Sequence, residues 1–117
     1  MRTRILITLL SLLLGATIEA NAHAFLDHAD PRVGSAVAAA PRQLTLWFTQ
    51  NLEPAFSKVT VTDSSGQRVD AGKPSISGTI MRVLLRGLKA GTYRVSWHAL
   101  SVDTHTTEGS FTFRVGQ

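Results

Sequence analysis

The sequence predicts an all-β domain, either an antiparallel β-sandwich or a small barrel. Three observations carry this expectation. Apolar residues recur with a period of two in four stretches between residues 43 and 115. Clusters of Gly, Pro, Asp and Ser separate those stretches at short intervals. Beyond residue 22, no stretch carries a convincing 3.6-residue period.

In chain order, residues 1–22 read as a cleavable secretory signal peptide. Arg2 and Arg4 form a basic start, and residues 5–14 (ILITLLSLLL) form a ten-residue apolar run. A bilayer span takes roughly 20 residues, so this run is too short for an anchor. Ala20-Asn21-Ala22 supplies a small-x-small cleavage signature, which makes residues 23–117 the mature domain, beginning His23-Ala24-Phe25. Ala22-His23-Ala24 also satisfies that signature and would place the cut before Phe25, discarding His23. The distance from the end of the apolar run favours the cut before His23. No further segment suited to membrane insertion follows.

In the mature domain, residues 43–50 place Leu44, Leu46 and Phe48 on one face of a strand. Val59 and Val61 alternate with Thr60 and Thr62, and Asp63-Ser64-Ser65-Gly66 then turns the chain. Residues 79–86 are rich in β-formers and stop at Gly87; Lys89-Ala90-Gly91 is the next turn. Residues 92–100 alternate cleanly, with Tyr93, Val95, Trp97 and Ala99 on one face and His98 on the other. Phe111, Phe113 and Val115 close the chain with the same period. Residues 37–40 allow one helical turn, which Pro41 ends. Trp47 and Trp97 are both expected in the sandwich core.

Composition narrows the function. Hydrophobic residues make up 44% of the 117 and charged residues 17%, which suits one globular domain and opposes disorder. The net charge of +4 falls to +3 in residues 23–117, where ten Lys and Arg face seven Asp and Glu. No basic run exists, so nucleic acid is not an expected partner. The absence of cysteine removes disulfides, thiolate metal sites, iron–sulfur clusters and cysteine nucleophiles together.

The four histidines are the remaining source of chemistry: His23, His28, His98 and His105. His23 would be the first residue after cleavage. There its α-amine and Nδ1 can close a six-membered chelate, and the amine, with a free pKa of about 7.7–8.0, yields its proton to a metal at neutral pH. Asp103-Thr104-His105 is the second feature, since residues two apart in an extended segment project to one side. Together they offer three nitrogens and one oxygen, a set that suits tetragonal Cu(II), with Ni(II) the nearest competitor. Each element also has a plainer explanation. A terminal histidine is often a surface residue, and an Asp-x-His in a loop is often turn chemistry. His28 is expected at the surface. His98 is expected to be a solvated strand residue, with a role beside the metal as its alternative.

A resemblance supplies more. His23-Ala24-Phe25-Leu26 with Asp30-Pro31, Leu44-Thr45-Leu46-Trp47-Phe48, Glu53-Pro54-Ala55-Phe56 and Val59-Thr60-Val61-Thr62-Asp63 resemble successive segments of the CopC/PcoC-type periplasmic copper-binding proteins. The strongest similarity is Tyr93-Arg94-Val95-Ser96-Trp97 leading into Ser101-Val102-Asp103-Thr104-His105, then Gly109, Phe111, Phe113 and Val115. The resemblance implies an immunoglobulin-like Greek-key β-sandwich that binds one Cu(II) per chain through His23, Asp103 and His105. It implies a non-enzymatic role in the periplasm, in copper sequestration or in delivery to a CopD-like inner-membrane copper permease. Some members carry a Met-rich loop for Cu(I). Here the mature domain keeps only Met81, in a strand pattern, so a thioether site is not expected. Thr104 stands where many relatives have Gly, which matters only if the position needs a positive φ. Two other functions fit parts of the pattern: a copper oxidase of the histidine-brace kind, and an immunoglobulin-like interaction module that binds no metal.

Overall fold

The computed structural model describes residues 23–116; the expected signal peptide, residues 1–22, lies outside the described residues. Among the described residues there are eight strands: β1 Leu26–Asp30, β2 Ala36–Val37, β3 Gln43–Phe48, β4 Lys58–Thr62, β5 Asp70–Ser77, β6 Ile80–Leu85, β7 Gly91–Leu100 and β8 Thr106–Val115. They form two four-stranded sheets, ordered β1-β3-β6-β5 and β2-β8-β7-β4. The result is an immunoglobulin-like sandwich, and the barrel alternative is corrected: the two sheets do not close on each other. Pairing is antiparallel except at β2, whose two residues lie parallel to the end of β8. The helical turn expected over residues 37–40 is absent. Val37 belongs to β2, and the only helix among the described residues is a single 3₁₀ turn at Pro54–Phe56.

The core is made from the alternating faces read in the sequence. Leu44, Leu46 and Phe48 of β3 meet Val59 and Val61 of β4, Val95 of β7 and Phe113 of β8, all buried. Tyr93 and Phe113 stack at 5.6 Å across the β7–β8 ladder. The Tyr93 hydroxyl donates to the carbonyl of Lys89, four residues upstream, at 2.6 Å. This is the tyrosine-corner device of immunoglobulin-like folds, and it pins the entry to β7. Asp70 ties the sheets together at the same end. Buried at the start of β5, it accepts the Val61 N–H of β4 at 2.9 Å and Arg68 Nη2 at 2.6 Å. At the opposite end, β7 turns into β8 and the chain entering β1 crosses between the sheets.

The two tryptophans part company. Trp97 packs against the core, edge to face with Phe48 at 5.2 Å and over Gly109. Trp47 does not join the core: it alternates out of phase with Leu46 and Phe48 and stacks on the ring of His28 at 4.3 Å. The expectation of a core role fails for Trp47 because the two tryptophans occupy opposite phases of their strands.

Candidate metal centre

Leu100 pairs with Thr106, which leaves residues 101–105 as the β7–β8 connection. Ser101 organises it from a fully buried position. Its N–H donates to the His105 carbonyl at 3.0 Å, and the Thr104 N–H returns to the Ser101 carbonyl at 2.9 Å. Its hydroxyl donates to Asp103 Oδ1, and the His105 N–H reaches that same hydroxyl at 3.3 Å. Thr104, between the two candidate ligands, adopts φ +72°. The position therefore does need the left-handed conformation that a β-branched residue resists.

Asp103 and His105 do meet, with Oδ1 and Nδ1 3.4 Å apart. They are brought together by a tight turn around Ser101, the turn chemistry that an Asp-x-His in a loop allows, and not by alternation along an extended segment. The Ser101 hydrogen bond holds the Asp103 carboxyl below the usual carboxylate range; desolvation opposes this, and the His105 ring adds to it. Both side chains stay nearly half exposed, at 46% for Asp103 and 47% for His105, so each has room to turn.

His23 approaches this pair from the other side, through His105. Its ring lies edge to face against that of His105, with centroids 4.6 Å apart. Its Nδ1 is buried and has no hydrogen-bond partner. Buried polar nitrogens are rarely left this way. The donor set fits a metal chemically, since imidazole and carboxylate suit Cu(II). Among the described residues, no group of three His, Asp or Glu side chains is placed to hold a metal ion. The contacts are pairwise, through His105.

The other two histidines lie elsewhere. His28 is exposed, with Nδ1 2.7 Å from Asp27, and is held flat against Trp47. His98 stands on the outer face of β7, between Lys58 and Glu108 in the register and 3.7 Å from the Glu108 carboxylate. Neither joins the cluster. Sequence reasoning gave no role to Ser101, nor to Thr49 and Thr107, whose hydroxyls bond the 23–25 backbone. Ser101, two residues before an Asp in a turn, carried a detectable signal, because short hydroxyl side chains there bond the local backbone.

Comparison with known proteins decides the family. The family model described as "CopC domain" matches residues 26–116, nearly the whole described chain. The chain belongs to the CopC family. Copper resistance protein C of Escherichia coli is 36% identical to this CopC-family chain over 114 residues, covering 89% of it and 90% of the relative. Copper transport protein CutJ of Bacillus subtilis is 34% identical over 100 residues, covering 82% of this chain but only 18% of that longer protein. The crystal structure of CopC from Methylosinus trichosporium OB3b superposes with a TM-score of 0.75 at 32% identity, covering 80% of this chain and 93% of that one. The family match thus spans both the immunoglobulin-like sandwich and the 101–105 connection that carries Asp103 and His105.

Proposed function

We propose that this chain is a periplasmic Cu(II)-binding protein that holds one copper ion and passes it to a CopD-like inner-membrane permease. The observation that carries this reading is the buried, partnerless Nδ1 of His23 packed against the His105 ring. Cleavage after Ala22 turns the His23 peptide nitrogen into an amine. Amine and Nδ1 then chelate one ion, His105 adds an imidazole, and Asp103 adds a carboxylate. The burial of Ala24 supports that cut, because cleavage before Phe25 would remove a core residue together with His23.

The mechanism is ligand exchange, with no substrate bond made or broken, so the chain acts as a binding protein and not an enzyme. The Asp103 carboxylate takes a position that dioxygen chemistry needs open. Met81 is fully buried in β6, which leaves no accessible thioether among the described residues to hold Cu(I), so reduction weakens binding. The names of the relatives, copper resistance protein C and copper transport protein, support a role in copper handling. In the transport protein the similar segment is a small part of a longer chain, which supports transfer to a transport partner. No helix among the described residues is long and apolar enough to cross a membrane.

Cu(II) titration of three variants tests the assignment. His105→Ala removes a ligand and costs most of the affinity, while His28→Ala and His98→Ala stay near the unsubstituted protein. Greater damage from His98→Ala would overturn the ligand set.

A further inference from the structure

The segment 23–25 belongs to no strand, yet its backbone is held from both sheets. Thr107 of β8 donates its hydroxyl to the Ala24 carbonyl at 2.5 Å. Thr49, directly after β3, donates its hydroxyl to the His23 carbonyl at 3.2 Å and accepts the Phe25 N–H at 2.9 Å. The Thr49 N–H in turn donates to the Phe25 carbonyl at 2.9 Å. Between these contacts the Ala24 side chain is fully buried in the core. β1 begins just beyond, at Leu26, and its pairing with β3 is broken by a register shift between Leu26 and His28. The ladder is thus irregular where His23 must be placed, and side-chain hydroxyls satisfy the backbone groups instead.

We propose that Thr107 and Thr49 are positioning residues for the metal centre: a clamp, one hydroxyl from each sheet, on the carbonyls of Ala24 and His23, that fixes the two peptides after His23 and so sets the His23 nitrogens toward His105 and Asp103. This rests on the assignment of His23 as the first residue and a ligand. The physical need is specific. A terminal residue has a neighbour on one side only, and a chelate from amine and Nδ1 requires its backbone and ring in one orientation. Without anchors the end of a chain frays. Thr107 carries more of the load, because its bond is partly buried while those of Thr49 are exposed to water.

Thr→Val removes the hydroxyl and keeps both the shape and the β-branched preference for strands. The test uses the exported protein, its first residue verified by intact mass, and titrates Cu(II) against a competing chelator. Thr107→Val is expected to weaken Cu(II) by about 10–100-fold, the usual loss when a group supporting a ligand is removed, and Thr49→Val by less. Far-UV circular dichroism of both variants should match the unsubstituted protein. The decisive arm is coupling: in a His23→Ala background, Thr107→Val should cause no further loss. Metal-free amide exchange supplies a second readout, with faster exchange expected at the Phe25 N–H in Thr49→Val. Undiminished affinity in Thr107→Val, or an equal loss with and without His23, would overturn the clamp. An unsubstituted protein that binds no copper would overturn the copper assignment itself, a result distinct from either of these.

Discussion

Thr104→Gly should stabilise the metal-free domain. Thr104 sits at φ +72° between Asp103 and His105, and is the only residue other than glycine with a positive φ among those described. Holding an L-residue in the left-handed region costs roughly 1–2 kcal/mol, and a β-branched side chain lies at the unfavourable end. Glycine removes that cost but loses about 0.5–1 kcal/mol through the greater freedom of the unfolded chain. The Thr104 hydroxyl bond to the adjacent Asp103 carbonyl is exposed and adds little. The net gain is therefore about 0.5–1 kcal/mol, which for a domain of this size raises the Tm by about 2–8 °C. Thermal unfolding followed by circular dichroism reads this directly. Thr104→Ala keeps a Cβ without the branch and should fall between the two. An unchanged or lower Tm for Thr104→Gly would refute the strain argument.

Other substitutions probe the turn and the core. Ser101→Ala removes the main cause of the lowered Asp103 carboxyl, so that group should titrate at a higher pH; carboxyl NMR of the metal-free protein checks this. Asp70→Ala leaves the buried Val61 N–H without its acceptor and should cost about 1–3 kcal/mol in urea unfolding at pH 7. Burial pushes the Asp70 carboxyl up, but the Arg68 hydrogen bond, the Val61 N–H and the Arg68 charge together hold it below the usual range. Its contribution is therefore complete above the unfolded value, about 3.9, and is lost as pH falls through the lower folded value, so Asp70→Ala should flatten the acid limb of the stability profile. Gly109→Ala places a Cβ 2.7 Å from Trp97 Cζ2 and should destabilise by about 1–3 kcal/mol, with a shifted Trp97 fluorescence.

The strands legible in the sequence were those with one face in the core. β3, β4 and β7 alternate plainly, β6 is rich in β-formers, and the apolar half of β8 alternates from Phe111 onward. Its polar half, Thr106 to Ser110, is strand because it pairs with β7, and its own residues do not announce that. β5 was hidden because it lies at a sheet edge, where Gly72 and Pro74 are tolerated and a bulge between Ala71 and Ser75 breaks the alternation. β1 buries one residue, Ala29, and β2 has only two residues, so neither leaves a period to read. At the site, residue types raised His23, Asp103 and His105 as candidates, and the family resemblance singled them out as a set. The turn that joins the last two depends on Ser101. Thr107 bonds the carbonyl of Ala24, beside the first, a contact 83 residues apart in sequence that local pattern cannot reveal.

The measurement that bears most directly on the central claim is Cu(II) titration of the chain beginning at His23 beside the same chain with one glycine added before it. The fold is common to both, and only the first offers a free amine on the residue that carries Nδ1. The account predicts one Cu(II) per chain in the unextended protein, with a type 2 paramagnetic resonance spectrum and no intense blue absorption, and far weaker binding in the extended one. Equal affinity in the two chains would contradict the terminal-amine chelate on which the whole assignment stands.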